Sequence, residues 1–473
     1  MNVRIRQLFG LLVVLFGLLV AFTSYWSVFD ADNLEANKAN EPRQLLEEAQ
    51  IRRGLIFAGD RSVLARNRVS GRGETRLYGR LYPDDNLFAH ALGYSFLRYG
   101  QAGLERSHNG DLTGDQNEFT TIWDELRGKQ REGNDLLTTL DPAGQRTAIA
   151  GLAGQPGSVV AIEPQSGRVR VMTSIPDYNP NTIPADFARL NRAPGSPLFN
   201  RGTQSGYPPG STFKVVTATA ALDSGRFTPG SVLSGKSPKR IGGVLLSNFG
   251  GESFGQVSLT DALTHSVNTV WGQVGERLGK STMLEYMRRF GFNRKPHIDL
   301  PGSELRASGV YQGRRLLDAG DAIDIGRVAI GQERLLVTPL QMAMVVSAIA
   351  NGGKLMRPHL VDRVLSTDGS TVDEAKPSEE SKVMKPETAT ALGSMMSQVV
   401  REGTGTAAAL SGIEVAGKTG TAEVGGVNQA WFIAFAPLQN PRIAIAVTVE
   451  RTTGQGGTVA APIAKRVMET LLR

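Results

Sequence analysis

Several hydroxyl, amine and amide side chains stand at spacings that suit acyl transfer. Ser211 and Lys214, in YPPGSTFKVVTATAALDSG, are three residues apart, nearly one helical turn. A serine hydroxyl is a poor nucleophile alone, and a neutral lysine amine one turn away can act as its base. Gly210 precedes Ser211, and Pro208-Pro209 cannot continue a helix backwards, so Ser211 is expected at or next to a helix N-cap. The first free amides of that helix then point towards the site and favour developing negative charge. Two more stretches carry the same kinds of groups: Ser266-Val267-Asn268 in THSVNTVWGQVG, and Lys418-Thr419-Gly420 in GIEVAGKTGTAEV.

The last stretch also satisfies G-x-x-x-x-G-K-[ST] through Gly412, Gly417, Lys418 and Thr419, the pattern of a phosphate-cradling loop. Such a loop needs flexibility between its glycines and a helix starting at Lys-Thr. Here IEVA is strand-like, GTAEVGG opens a helix poorly, and 54 residues follow Thr419, too few for a nucleotide-binding sheet. The stretch reads as a strand. A second near-match, Gly272 to Ser281, fails on spacing at Val274 and reads as a helix with a glycine stop at Gly279. His265 suggests a Ser-His-Asp arrangement, but there is no G-x-S-x-G elbow, so it is expected to be a packing or loop residue. The five histidines lack H-E-x-x-H spacing and there is no cysteine, so neither metal nor cofactor is expected.

These stretches need a frame. The chain has 473 residues, 40% hydrophobic and 21% charged, which is globular and too long for one ordinary core. A formal charge of +7 without a basic tract gives nucleic-acid binding no support and fits an anionic envelope or membrane surface. Residues 7–29, QLFGLLVVLFGLLVAFTSYWSVF, hold no charge, enough to cross a hydrocarbon core of about 30 Å as a helix. Arg4 and Arg6 precede this run, whereas Asp30, Asp32 and Glu35 follow it. The positive-inside bias makes residues 1–6 a cytoplasmic tail and puts everything after Phe29 outside, as a single-pass protein of the cell membrane. No A-x-A-like site follows, so the anchor is expected to stay uncleaved. Little nucleotide is found outside, a further argument against the phosphate loop.

Residues 30–157 begin with LEANKANEPRQLLEEAQIR, a polar helix or linker, and continue as short strands and turns such as RRGLIFAGDRSVLARN. Asp141 and Pro142 read as N-cap and first position of a helix. From residue 158, SVVAIEP-QSG-RVRVMTS reads as a β-hairpin. Helices are expected from about 211 to 400, among them TPLQMAMVVSAIANGG over 338–353, and STDGSTVDEAKPSEESK over 366–382 reads as a surface loop. GTAEV, AWFIAFAP and RIAIAVTVE are strands, and APIAKRVMETLLR is a closing helix. Strands at both ends with helices between imply an α+β domain whose ends share a sheet.

The three motifs occur in the order S-x-x-K, S-x-N, K-T-G, at a helix start, a loop between helices and a strand edge. That set resembles the signature of penicillin-binding proteins and serine β-lactamases. LFNRGTQSGYPPGSTFK, GKTGTAEV with AWFIAFAP, RRGLIF…DRSVLA and YGQAGLERSHNGDLTG extend the likeness over nearly all of the chain. It resembles a class B penicillin-binding protein, a monofunctional peptidoglycan D,D-transpeptidase, of the short actinobacterial penicillin-binding protein A group. The resemblance implies a single transmembrane helix, a β-rich, dimerisation-like pedestal over 30–157 without a catalytic role, and over 158–473 a transpeptidase domain of antiparallel sheet with helices.

By that resemblance Ser211 attacks the carbonyl between the terminal D-alanines of a stem peptide, and a neighbouring stem's amine then takes the acyl group. Lys214 is the general base, which requires a pKa well below the usual value of about 10.4, with burial and Lys418 as the implied causes. Ser266 relays a proton to the leaving amine, and Asn268 orients Lys214 and holds the substrate amide. Lys418 and Thr419 face the terminal carboxylate, Gly420 and Thr421 complete the substrate-binding set, and the amides of Ser211 and Thr421 form the oxyanion hole. The implied partners are stem peptides, β-lactams and a membrane glycan polymerase of the shape-elongation-division-sporulation type. No E-x-x-L-N segment lies between Ser266 and Lys418, and DFARLN precedes the nucleophile, so a long-lived penicillin acyl-enzyme is expected.

Two other functions fit the same residues: a D,D-carboxypeptidase passing the acyl group to water, and a penicillin-binding sensor or scaffold without turnover. The short tail leaves no room for a cytoplasmic output domain, and a scaffold has no need of Lys214 or Lys418. Glu105 in AGLE is expected to anchor the N-terminal module.

Overall fold

AWFIAFA and IAIAVTV are apolar at nearly every position, which suits strands buried on both faces. In the computed structural model, which describes residues 3–26, 49–72, 76–114 and 131–473, they lie within Val427–Ala436 and Ile443–Thr452. These strands sit inside a five-stranded antiparallel sheet, ordered Ala416–Val424, Val427–Ala436, Ile443–Thr452, Gly157–Ile162, Val169–Ile175. The ends of the region share one sheet, as expected. Alternation sends Trp431, Ile433 and Phe435 into one core and Phe432, Ala434 and Ala436 into another. Pro339–Ala350 packs in the first core; Pro142–Leu152 and Ala461–Leu472 pack together in the second.

The helix starts follow local chemistry. Asp141 accepts from the Gly144 N–H at 2.8 Å ahead of Pro142, and Thr338 from that of Gln341 at 3.1 Å ahead of Pro339. Pro339–Ala350 is buried at every position. A 3₁₀ turn, Gly210–Phe213, runs into helix Lys214–Asp223, which is buried from Lys214 to Ala221. Leu259–Thr264 and Asn268–Arg289 flank the Ser266-Val267 link, and the longer helix breaks at Gly279, with φ +77° and ψ 164°, where the glycine stop was expected.

A second sheet has the order Thr371–Glu374, Val361–Leu365, Asp135–Thr138, Ile56–Phe57, Val63–Ser70, Leu77–Leu81. Its first two strands come from the C-terminal half of the chain, and one hydrophobic core runs from Ile56 and Leu64 through to Phe213 and Trp431. Glu105 is fully buried there, accepting from Arg53 Nε at 2.8 Å, Arg80 Nε at 2.6 Å and the Tyr82 hydroxyl at 3.2 Å.

Two sequence expectations change. The surface loop over 366–382 contains strands Thr371–Glu374 and Glu379–Lys382, the latter paired with Lys354–Met356. Both are mostly polar, Thr371–Glu374 exposed and Glu379–Lys382 partly buried, and backbone pairing leaves no trace in such a composition. The apolar helix starts at Val3, ahead of the uncharged run that begins at 7, because uncharged length marks what can lie in lipid, whereas the helix runs on through Arg4 and Arg6. Its most apolar 18-residue stretch has a mean hydropathy of 2.3, and the helix is exposed along its whole length. Most of the LEANKANEPRQLLEEAQIR segment, residues 34–48, lies outside the described residues.

Candidate active site

Three stretches far apart in sequence meet at one point. Ser266 Oγ lies 3.1 Å from Lys214 Nζ and 3.0 Å from Lys418 Nζ. Lys214 Nζ also donates to the Ser266 carbonyl and to Asn268 Oδ1, each at 2.7 Å. Lys418 Nζ donates to the Thr419 carbonyl at 3.0 Å. Ser266 reaches this position with φ +58°, in the left-handed region that non-glycine residues seldom occupy. The strain lets one short loop offer both a carbonyl and a hydroxyl to Lys214.

Both lysines are completely buried. Burial, reinforced by the Lys418 charge, holds the Lys214 amine well below the ordinary lysine value, and burial brings Lys418 down to about 7. The pair can therefore hold one neutral amine and one cation on either side of a single hydroxyl.

Ser211 stands in the 3₁₀ turn one turn before Lys214, so the N-cap expectation is off by that turn; its hydroxyl makes no hydrogen bond among the described residues. Apo geometry often leaves such a bond unmade. The turn rests against the edge strand through glycines. A Cβ on Gly210 would stand 2.9 Å from the Thr421 carbonyl oxygen, and one on Gly420 2.7 Å from that of Pro209. Lys418-Thr419-Gly420 lies within the extended strand Ala416–Val424, so the phosphate-loop pattern is not built as a loop and helix.

Thr421 Oγ1 accepts from the Gly456 N–H at 3.1 Å. Thr419 Oγ1 lies 2.6 Å from Thr404 Oγ1. Thr404 was missed in the sequence because no spacing rule links it to a strand fifteen residues on. Asn268 Nδ2 donates to the Ser247 carbonyl at 3.1 Å, so its amide serves both the lysine and a neighbouring loop. His265 is exposed and stacks on Phe254 at 6.2 Å, outside this network.

Comparison with known proteins matches residues 157–469 to the penicillin binding protein transpeptidase domain and residues 53–136 to the penicillin binding protein A dimerisation domain. The chain is 35% identical over 501 residues to the peptidoglycan D,D-transpeptidase PbpA of Mycolicibacterium smegmatis, covering 100% of this chain and 99% of that one. It is 32% identical over 504 residues to PbpA of Mycobacterium tuberculosis, with the same coverage. Among solved structures, the ceftriaxone acyl-enzyme of M. tuberculosis penicillin-binding protein A aligns with a TM-score of 0.82 at 32% identity, over 90% of this chain and 100% of that one. The penicillin G acyl-enzyme aligns with a TM-score of 0.80 at 33% identity, over 89% and 100%.

Proposed function

The chain belongs to the penicillin-binding protein transpeptidases, and from that premise we propose that Ser211, Lys214 and Ser266 perform its chemistry. The protein is a serine-type peptidoglycan D,D-transpeptidase and a β-lactam target. One observation carries the residue roles: two fully buried lysines meet on the hydroxyl of Ser266.

In the first half-reaction Ser211 Oγ bonds to the carbonyl carbon between two D-alanines and gives its proton to the neutral Lys214 amine. The C–N bond breaks, and the departing D-alanine amine takes a proton passed through Ser266. In the second, a neighbouring stem's amine attacks the ester carbonyl, loses a proton by the reverse route, and frees Ser211. A β-lactam stops after the first half, because its amine stays tethered to the acyl group. Lys418 and Thr419 receive the terminal carboxylate, with Gly420 leaving room for the nucleophile turn, and Asn268 holds Lys214 and the substrate amide. The amides of Ser211 and Thr421 bind the oxyanion; each such donor is worth about 3–4 kcal/mol.

Val3–Ser24 suits a single-pass anchor, and we place residues after it outside the cytoplasm on the charge bias of Arg4 and Arg6. Among the described residues the pedestal region contributes none to the lysine network, and we assign polymerisation of glycan to a membrane partner of the shape-elongation-division-sporulation type. Fluorescent penicillin labelling of detergent-solubilised full-length protein tests the roles. A label lasting many minutes on the parent and absent from a folded Ser211→Ala variant is expected. Labelling of that variant would sink the reading of Ser211, and D-alanine release without cross-linking to an added acceptor stem would point to a carboxypeptidase.

A further inference from the structure

Two prolines precede Gly210 and Ser211, and a proline has no N–H with which to fix its own place. Within the turn Gly210 N–H donates to the Gly331 carbonyl at 3.0 Å, and the rest of the hold comes from its flanks. Downstream lies the buried helix. Upstream lies Tyr207, whose backbone exchanges hydrogen bonds of 2.9 and 2.8 Å with Val337 and whose hydroxyl donates to Glu450 Oε1. The same carboxylate oxygen accepts from Arg201 Nε at 2.8 Å. Arg201 donates onward to the Gly195 carbonyl at 2.6 Å, and its N–H to Ser174 Oγ at 3.0 Å.

Glu450 is itself fixed, near the end of strand Ile443–Thr452, with its N–H on the Pro156 carbonyl at 2.7 Å. From the adjoining strand Trp431 Nε1 donates to the Pro208 carbonyl at 3.0 Å, and its ring meets that of Tyr207 edge-on at 6.1 Å. The Arg201 and Glu450 side chains are only 7% and 18% exposed. Removing such a pair from water is costly, and a charge-assisted acceptor behind the turn is stiffer than a neutral one. Burial and the Glu450 carboxylate also push the Tyr207 phenol up, so it remains a donor across the working pH range.

We propose that Glu450, acting through Tyr207 and steadied by Arg201, is a positioning residue that sets the Pro208–Ser211 turn against the Thr421 strand. It touches neither substrate nor reacting atoms. Its effect falls on how well Ser211 Oγ and the Ser211 amide are placed when the carbonyl arrives, and so on the acylation step rather than on binding. This rests on Ser211 being the nucleophile.

The test uses full-length protein in detergent and stopped-flow acylation by a fluorescent penicillin, which separates the dissociation constant from the acylation rate constant. Tyr207→Phe deletes one hydroxyl; Glu450→Gln keeps the shape and an acceptor but removes the charge. Each is expected to slow acylation about tenfold with the dissociation constant within about twofold and the labelled fraction still complete. The double variant is expected to be no slower than the slower single one, because both changes cut the same link. Acylation at the parent rate in both variants overturns the proposal. So does a fall in the labelled fraction at an unchanged rate, which marks a structural role only. Failure of the underlying reading is distinguished by Ser211→Ala, which then still labels.

Discussion

In the proposed roles, Lys214 can act as a base only when neutral, and Lys418 can hold a carboxylate only when charged. Burial and the Lys418 charge favour the neutral form of Lys214, whereas Lys418 loses its charge as pH rises through about 7. The second-order acylation constant of the free enzyme is therefore expected to decline above about pH 7, measured with penicillin across the range. In Lys418→Arg, whose guanidinium keeps its proton, that alkaline limb is expected to disappear even if the plateau drops. A limb unchanged in that variant would assign it to another group. Ser266 offers a second separation. Ser266→Gly removes the hydroxyl but suits φ +58°, so the unfolding free energy is expected to stay within about 1 kcal/mol of the parent while acylation falls about 100-fold. Both variants leave the buried Nζ atoms an acceptor short, but Ser266→Ala also keeps a side chain on the strained backbone, so it should be the less stable of the two.

At the scale of elements, the catalytic strand is positioned by close backbone contacts. A Cβ on Gly456 would lie 2.1 Å from the Trp431 carbonyl oxygen and 2.4 Å from that of Gly420, both backbone atoms of the central sheet. Gly456→Ala is expected to destabilise by about 3 kcal/mol, read as a lowered denaturant midpoint. Gly412 has φ +71° with open space around it, so Gly412→Asn is expected to be near neutral in the same assay. Equal midpoints for the two would mean that the loop before Ala461–Leu472 yields more readily than its contacts imply. Helix starts, the hairpin and the buried strands were legible in the sequence because caps, turns and unbroken apolar runs are local signals. The polar strands Thr371–Glu374 and Glu379–Lys382 were not, since only their backbone partners define them.

Across the whole molecule, the pedestal sheet borrows strands Val361–Leu365 and Thr371–Glu374 from the catalytic half, and the core is continuous between them. Heat is expected to unfold the two regions in one calorimetric transition. Glu105→Gln removes the carboxylate charge that the buried Arg80 and Arg53 guanidiniums both contact, a loss of about 3–5 kcal/mol. That single transition is expected to move down as a unit. A separate low-temperature peak would show instead that the pedestal melts alone, despite the shared strands.

By itself the sequence determined which residues can do chemistry: Ser211 with Lys214 one turn on, Ser266 two residues before Asn268, and Lys418 beside Thr419. Those are local relations, and residue type and short spacing are enough to express them. It also determined the apolar helix near the N-terminus, since the uncharged run over 7–29 needs no partner to be recognised. Only the tertiary structure decided that Lys214 and Lys418 converge on one hydroxyl, that Thr404 stands behind Thr419, and that Glu450 braces Tyr207 from 243 residues away. Those relations depend on sheet order and on glycines thin enough for strand and turn to touch, and burial then decides which amine gives up its proton.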